Sequence, residues 1–161
     1  MAIIIRRNMP YEDINERKTV KKFFQHYYNW NIIEEAAIAP IDMWGQNSKG
    51  FLWAIEVART ADWPNGIPDY PKEFIDIPYR KVKHLQWALE QTALNDKPGR
   101  GIYCILPYDC KALGYMSFSK IIEIVPSLPI TTREWFGDPC LIISVPSKFL
   151  KICKKSVDLL I

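Results

Sequence analysis

The chain has 161 residues, 48% hydrophobic and 24% charged, with a formal net charge of +3, a balance that excludes both a disordered polymer and a membrane-embedded body. That length buries a sizeable core but does not divide comfortably into two ordinary domains, so residues 1–161 are expected to form a single domain. With no run of about 18 apolar residues, and with an opening Ile3-Ile4-Ile5-Arg6-Arg7 that puts apolar before basic, a cytoplasmic location without a membrane partner is expected.

Twelve prolines, spread from Pro10 to Pro146, break the chain too often for a helical bundle and favour alternating helices and strands. From Asp13 to Tyr28, the residues Ile14, Val20, Phe23, Phe24 and Tyr27 have helical spacing, and Asp13 or Asn15 could cap the segment. His26 is expected in or beside the core. The stretch from Trp30 to Ala39 suits a helical turn and an edge strand equally well. Pro40 to Gly45 and Phe51 to Arg59 predict a hairpin across a polar turn.

A loop from Thr60 to Pro71 follows, in which Trp63 could stack on a base or pack over the hairpin. Beyond the apolar piece Phe74 to Ile77, Pro78 is expected to open a helix through about Thr92, with Val82, Leu85, Trp87 and Leu89 as its buried stripe. Ile102 to Leu106 reads as a central strand. Tyr115 to Val125 and Leu141 to Val145 are further strand candidates, with Ser119 to Ile124 alternatively helical, and Ser147 to Lys155 is expected to be a closing helix. The four cysteines lack the paired spacings of a zinc site. Cys104, Cys140 and Cys153 read as core hydrophobes, and Cys110, between Asp109 and Lys111, as the more reactive thiol.

The hairpin separates two chemically different faces. Ile41, Met43, Phe51, Trp53, Ile55 and Val57 alternate onto one, while Asp42, Ala54, Glu56 and Ala58 alternate onto the other. With Gly45 opposite Phe51, Asp42 faces Ala54 and lies diagonal to Glu56, close enough for both side chains to converge on one ion. Two anions so placed repel unless a cation or a proton intervenes. The competing reading is the polar solvent face of a half-exposed hairpin. Basic residues cluster at Arg17 to Lys22, Arg80 to Lys83 and Lys151 to Lys155, each of which can also be a solvated face.

On these residues the chain resembles the PD-(D/E)XK nucleases. The match is Pro40-Ile41-Asp42, the hairpin, and Ile55-Glu56-Val57-Ala58, within a core of about residues 13–106 that leaves the C-terminal strands and helix of 107–161 outside it. The resemblance implies an α/β fold with a restriction-endonuclease-like core: a helix, an antiparallel hairpin or meander, a second helix, and further strands in a mixed central sheet. It also implies that Asp42, Glu56 and the Val57 backbone carbonyl hold Mg²⁺ or Mn²⁺ while a lysine orients the attacking water. Ala58 stands where that lysine is usual. Lys81, in Ile77-Pro78-Tyr79-Arg80-Lys81, is the natural substitute, and Lys83 the second choice.

The same resemblance makes Arg80, Lys81, Lys83 and His84 candidate nucleic-acid contacts. Glu16 is a candidate additional acid, and Asp13, Glu34 and Glu35 are its alternatives. The leading functional expectation is a Mg²⁺- or Mn²⁺-dependent endo- or exonuclease hydrolysing phosphodiester bonds in DNA, with RNA as the other substrate. The rival is a catalytically inactive nuclease-fold module that binds nucleic acid or a protein partner. A homodimer is compatible with both.

Overall fold

The helical spacing of the first apolar stretch becomes helix α1, residues 16–28 of a computed structural model that describes residues 16–35, 39–135 and 137–153. The expected caps Asp13 and Asn15 lie outside the described residues. Strands β1 (Asn31–Glu34), β2 (Met43–Gln46), β3 (Leu52–Arg59) and β4 (Phe74–Pro78) follow, then α2 (Lys81–Thr92), β5 (Gly101–Leu106) and β6 (Gly114–Ser117). Next come α3 (Phe118–Ile124), β7 (Ile130–Trp135), β8 (Asp138–Pro146) and β9 (Lys151–Ile152). The fold is mixed α/β.

The main sheet has six strands in the order β1-β2-β3-β5-β6-β9, and a second sheet has three in the order β4-β8-β7. Pairing is antiparallel from β1 through β3, parallel between β3 and β5, and antiparallel again between β5 and β6. The main sheet is therefore mixed. The parallel pair requires a crossover, and α2 lies within it.

Both faces of the main sheet are covered. Val20, Phe23 and Phe24 of α1 pack with Met43, Ile55 and Cys104 on one side. On the other, Ala54, Tyr103 and Ile105 meet Leu85 and Ala88 of α2, Phe118 and Ile121 of α3, and Ile77 and Ile143 of the smaller sheet. Met43 and Ile55 are fully buried, each contributing about 1.5–3 kcal/mol relative to exposure. Among the described residues no helix is long and apolar enough to cross a membrane.

Several boundaries differ from the sequence expectation for identifiable reasons. Pro78 ends β4 instead of opening α2. Strand β4 is a sheet edge, where a missing N–H removes no ladder bond. The open segment after Trp30 includes strand β1. Tyr115 to Val125 divides, because Ser117 caps α3 by accepting from the Lys120 N–H at 3.1 Å. The expected closing helix from Ser147 is replaced by a single 3₁₀ turn and then β9. Ser147 is tied to the start of β4 through its N–H to the Glu73 carbonyl and its hydroxyl to the Lys72 carbonyl, and the Cys153 N–H bonds the Leu113 carbonyl as a strand would. Trp63 is core, 1% exposed, with its Nε1 donating to the Ile67 carbonyl at 2.8 Å. His26 is exposed, edge-on to Tyr27. Cys110 is buried, and that burial pushes its thiol up, away from the reactive thiolate.

Candidate active site

The turn between β2 and β3 sets the geometry of the carboxylate pair. Asn47 accepts at its Oδ1 from the N–H groups of Lys49 and Phe51, and its own N–H bonds the Phe51 carbonyl. Gly50, at φ 83°, takes the left-handed position that favours glycine. Phe51 is thereby drawn into the turn, and the first pair is Gln46 with Leu52, not Gly45 with Phe51. The correction preserves parity, so no side chain changes face.

Met43 pairs with Ile55, so continuing the register past the end of β2 sets Asp42 directly beside Glu56 instead of diagonal to it. Directly opposed residues bring Cβ atoms to about 4.5–5.5 Å, against about 7–8 Å on the diagonal. The face is not a solvent face. Glu56 is 2% exposed beneath α2, and Ala54 is fully buried beside it.

Each carboxylate has its own cation. Asp42 lies where β2 parts from β3; its Oδ2 accepts from the Val57 N–H at 2.8 Å, and its Oδ1 from Arg17 Nη2 at 2.6 Å. Arg17 also donates to the Glu35 carbonyl at 2.9 Å. From the first turn of α2, Lys81 places its Nζ 2.7 Å from Glu56 Oε2. The other oxygen, Oε1, is buried with no donor among the described residues. Burial raises the Glu56 carboxyl well above its ordinary value, the adjoining Asp42 carboxylate raises it further, and Lys81 only partly opposes them. The two carboxylates can hydrogen-bond each other only when one of them holds a proton.

The surroundings enlarge the cluster. Tyr103 pairs with Glu56 across the parallel ladder and is buried; its phenol is pushed up first by burial and then by the Glu56 and Asp42 charges. Glu16, 4% exposed on α1, stands 3.6 Å from Arg59 Nε, an ion pair on the α1 side of the sheet. Glu34 pairs instead with Lys21 at the surface, 3.1 Å away. His84, one turn beyond Lys81, has a buried Nδ1 without a hydrogen-bond partner among the described residues, and burial with the Lys81 and Arg80 charges lowers its pKa. Arg80 and Lys83 are exposed.

The structure thus brings Asp42, Glu56, Val57 and Lys81 together and places His84 beside them, with Arg80 and Lys83 on the outer surface of the same helix. Arg17, Arg59 and Tyr103 escaped sequence reasoning. Arg17 lay inside a basic run that reads as a solvated helix face, and Tyr103 joins Glu56 only through a parallel register that periodicity cannot supply.

No family model, curated protein or solved structure compared with this chain matches it.

Asp42, Glu56 and the Val57 carbonyl are the groups here that could hold a divalent cation. Among the described residues no three His, Cys, Asp or Glu side chains converge, yet Mg²⁺ characteristically takes only one or two carboxylates, completing its shell with water and phosphate oxygens. The Ala54 N–H bonds the Arg100 carbonyl and the Thr60 N–H bonds the Leu106 carbonyl, so even-numbered residues of β3 face β5. Val57 therefore faces β2, with its carbonyl on the side where Asp42 sits. Among the described residues Glu56 Oε1 is a buried acceptor without a hydrogen-bond donor.

Proposed function

We propose that this chain is a Mg²⁺- or Mn²⁺-dependent phosphodiesterase acting on nucleic acid, DNA in the first instance, with Asp42, Glu56 and the Val57 carbonyl as the metal-holding set and Lys81 as the catalytic lysine. The observation that carries the proposal is Lys81: from a different element it puts an ammonium on the buried Glu56 carboxylate, which is the relationship that Ala58 cannot make. A helix, three antiparallel strands, a helix and a strand parallel to the third, interrupted only by β4 of the second sheet, support a PD-(D/E)XK-like arrangement of the first two thirds of the chain.

A bound metal would supply Lewis-acid stabilisation of phosphate charge and a water of lowered pKa. The chain's own groups do the rest. Val57 and Arg17 hold the Asp42 carboxylate in place through both of its oxygens. The Lys81 ammonium, 25% exposed, can turn from Glu56 toward solvent, orient a water and offset charge on a phosphate oxygen. Covering by α2 keeps Glu56 dry, which strengthens each of these interactions.

A second reading has its own observation. Arg17 and Lys81 already neutralise the two carboxylates, and a closed pair of ion pairs is what an inactive nucleic-acid- or protein-binding module would retain. Titration of Mg²⁺ and Mn²⁺ against end-labelled single- and double-stranded DNA and RNA separates the two. The enzyme yields metal-dependent cleavage that Asp42→Ala and Glu56→Ala both abolish; absence of cleavage with every substrate, or cleavage retained in either variant, rejects the assignment.

A further inference from the structure

Helix α2 carries more than Lys81. Arg80, Lys83 and Trp87 are spaced i, i+3 and i+7 on its outward crest, and all of them are exposed, Trp87 at 40%. The sequence spacing placed Trp87 in the buried stripe, but that stripe consists of Val82, Leu85, Ala88 and Thr92. Trp87 leans instead on Trp44 of β2, ring centroids 5.8 Å apart at 74°. Such an edge-on contact covers at most one face of the Trp87 ring.

Two contacts fix how α2 lies over the sheet. Lys81 meets Glu56 and Trp87 meets Trp44, while Trp44 is paired with Ala54, two residues before Glu56. From Lys81 to Trp87 the helix rises about 9 Å, and from Glu56 back to Ala54 the strand runs about 7 Å. The tryptophan pair therefore stands beside the carboxylates on the same side of the sheet, with His84 between.

We infer that Trp87, steadied by Trp44, is a stacking platform for a base of single-stranded nucleic acid beside the carboxylate site. This rests on the phosphodiesterase reading and names its substrate class. Arg80 and Lys83 supply cations for the flanking phosphates, and the exposed part of the Trp87 indole supplies the sequence-tolerant stacking that single strands use. A duplex offers the same phosphates, but its bases are already stacked on both faces. An isolated exposed hydrophobe needs no ligand. This one is aligned with two exposed cations, Arg80 and Lys83, against the single anion Glu90, and that balance of charge favours a phosphate-bearing occupant over an apolar one.

The test is equilibrium binding with EDTA present, so that its outcome is independent of cleavage. Fluorescein-labelled oligothymidine, oligouridine, an abasic oligomer of the same length and a duplex are titrated into wild type, Trp87→Ala, Trp87→Phe and, as an exposed aromatic on the other sheet, Phe74→Ala. Trp87→Ala is expected to weaken oligothymidine binding about tenfold, the scale of one lost stacked base, to leave duplex and abasic binding unchanged, and to be partly rescued in Trp87→Phe. Phe74→Ala should bind as wild type does. Oligouridine binding like oligothymidine extends the platform to RNA; weaker oligouridine binding confines it to DNA. Equal losses on duplex and single strand, equal wild-type affinity for abasic and base-bearing strands, or unchanged binding by Trp87→Ala with an unaltered melting curve would each overturn the inference. Loss of metal-dependent cleavage with stacking intact would reject the enzyme and leave the platform standing.

Discussion

Lys81 and Glu56 meet at 2.7 Å although 25 positions separate them in the chain, and no lysine of β3 itself lies on the carboxylate face. The position two residues after Glu56 is Ala58, so the ammonium arrives from α2. If that ammonium orients the nucleophile, Lys81→Ala should lower turnover by about 10²–10³, the usual cost of removing one positioned donor at developing charge. Lys49, exposed in the β2–β3 turn, serves as the control, and Lys49→Ala should cleave at the wild-type rate. Single-turnover rates at saturating Mg²⁺ decide this, and equal rates for wild type and Lys81→Ala would remove Lys81 from the mechanism.

The two carboxylates should respond unequally to truncation, although both variants are expected to lose cleavage. Asp42 satisfies the Val57 N–H and a largely buried Arg17. Asp42→Ala leaves both groups without that partner and should cost about 1–3 kcal/mol of stability. Glu56→Ala leaves only Lys81, which can turn to solvent, and should cost less. Urea unfolding of both variants with the metal chelated measures the difference; a larger loss in Glu56→Ala would reverse the assignment of which carboxylate is structurally held.

How much of this was legible in the residues depends on what alternation can carry. Period-two alternation put Asp42 and Glu56 on one face, and a register change preserved that result because it kept parity. The turn differs from the alternation's expectation because Asn47 folds its side chain back onto Lys49 and Phe51, a local bond that composition does not announce. Covering of the carboxylate face by α2 depends on the parallel β3–β5 pair, a contact between segments far apart in sequence. The C-terminal segment was hardest to read. Leu141 to Val145 reads as a strand, but one of its partners, β4, lies more than sixty residues earlier in the chain, beyond what local patterning can show. Lys81 was reachable because Ala58 left a chemical role unfilled; Arg17 was not, since nothing distinguishes its charge from those of Lys18 and Lys21.

Nucleic-acid affinity should fall with salt, because phosphate contacts release condensed counterions. Arg80, exposed at the N-cap of α2, and Lys83, exposed in its first turn, are the contacts most open to a strand. The double substitution Arg80→Ala/Lys83→Ala should weaken binding to all sequences alike and reduce the slope of log Kobs against log[salt] by about 1.4 for a single strand and about 1.8 for a duplex. Titrations between about 50 and 200 mM salt suffice. An unchanged slope would move the phosphate track off this helix.

Glu56 should also set the pH dependence of stability. Burial and the neighbouring Asp42 raise its carboxyl well above the ordinary value of 4.5, with Lys81 opposing. Above that ordinary value the unfolded chain has released the proton while the folded protein still holds it. The Glu56 contribution to stability is therefore fully present below the ordinary value and is lost as pH rises through the higher folded one. Glu56→Gln keeps the neutral form at every pH. With EDTA present, its melting temperature should fall less than that of wild type as pH increases from about 4.5, and should exceed wild type at neutral pH by about 2–4 °C for each kcal/mol relieved. Asp42→Asn should not share this gain, because Arg17 and the Val57 N–H already hold that carboxylate. Adding Mg²⁺ should restore wild type toward the Glu56→Gln melting temperature and leave Glu56→Gln unmoved, since a cation relieves the same repulsion that the amide removes. If the two melting curves run parallel across pH, and Mg²⁺ shifts both proteins equally, Lys81 alone compensates Glu56 and the pair is a structural ion-pair cluster, not a site prepared for metal.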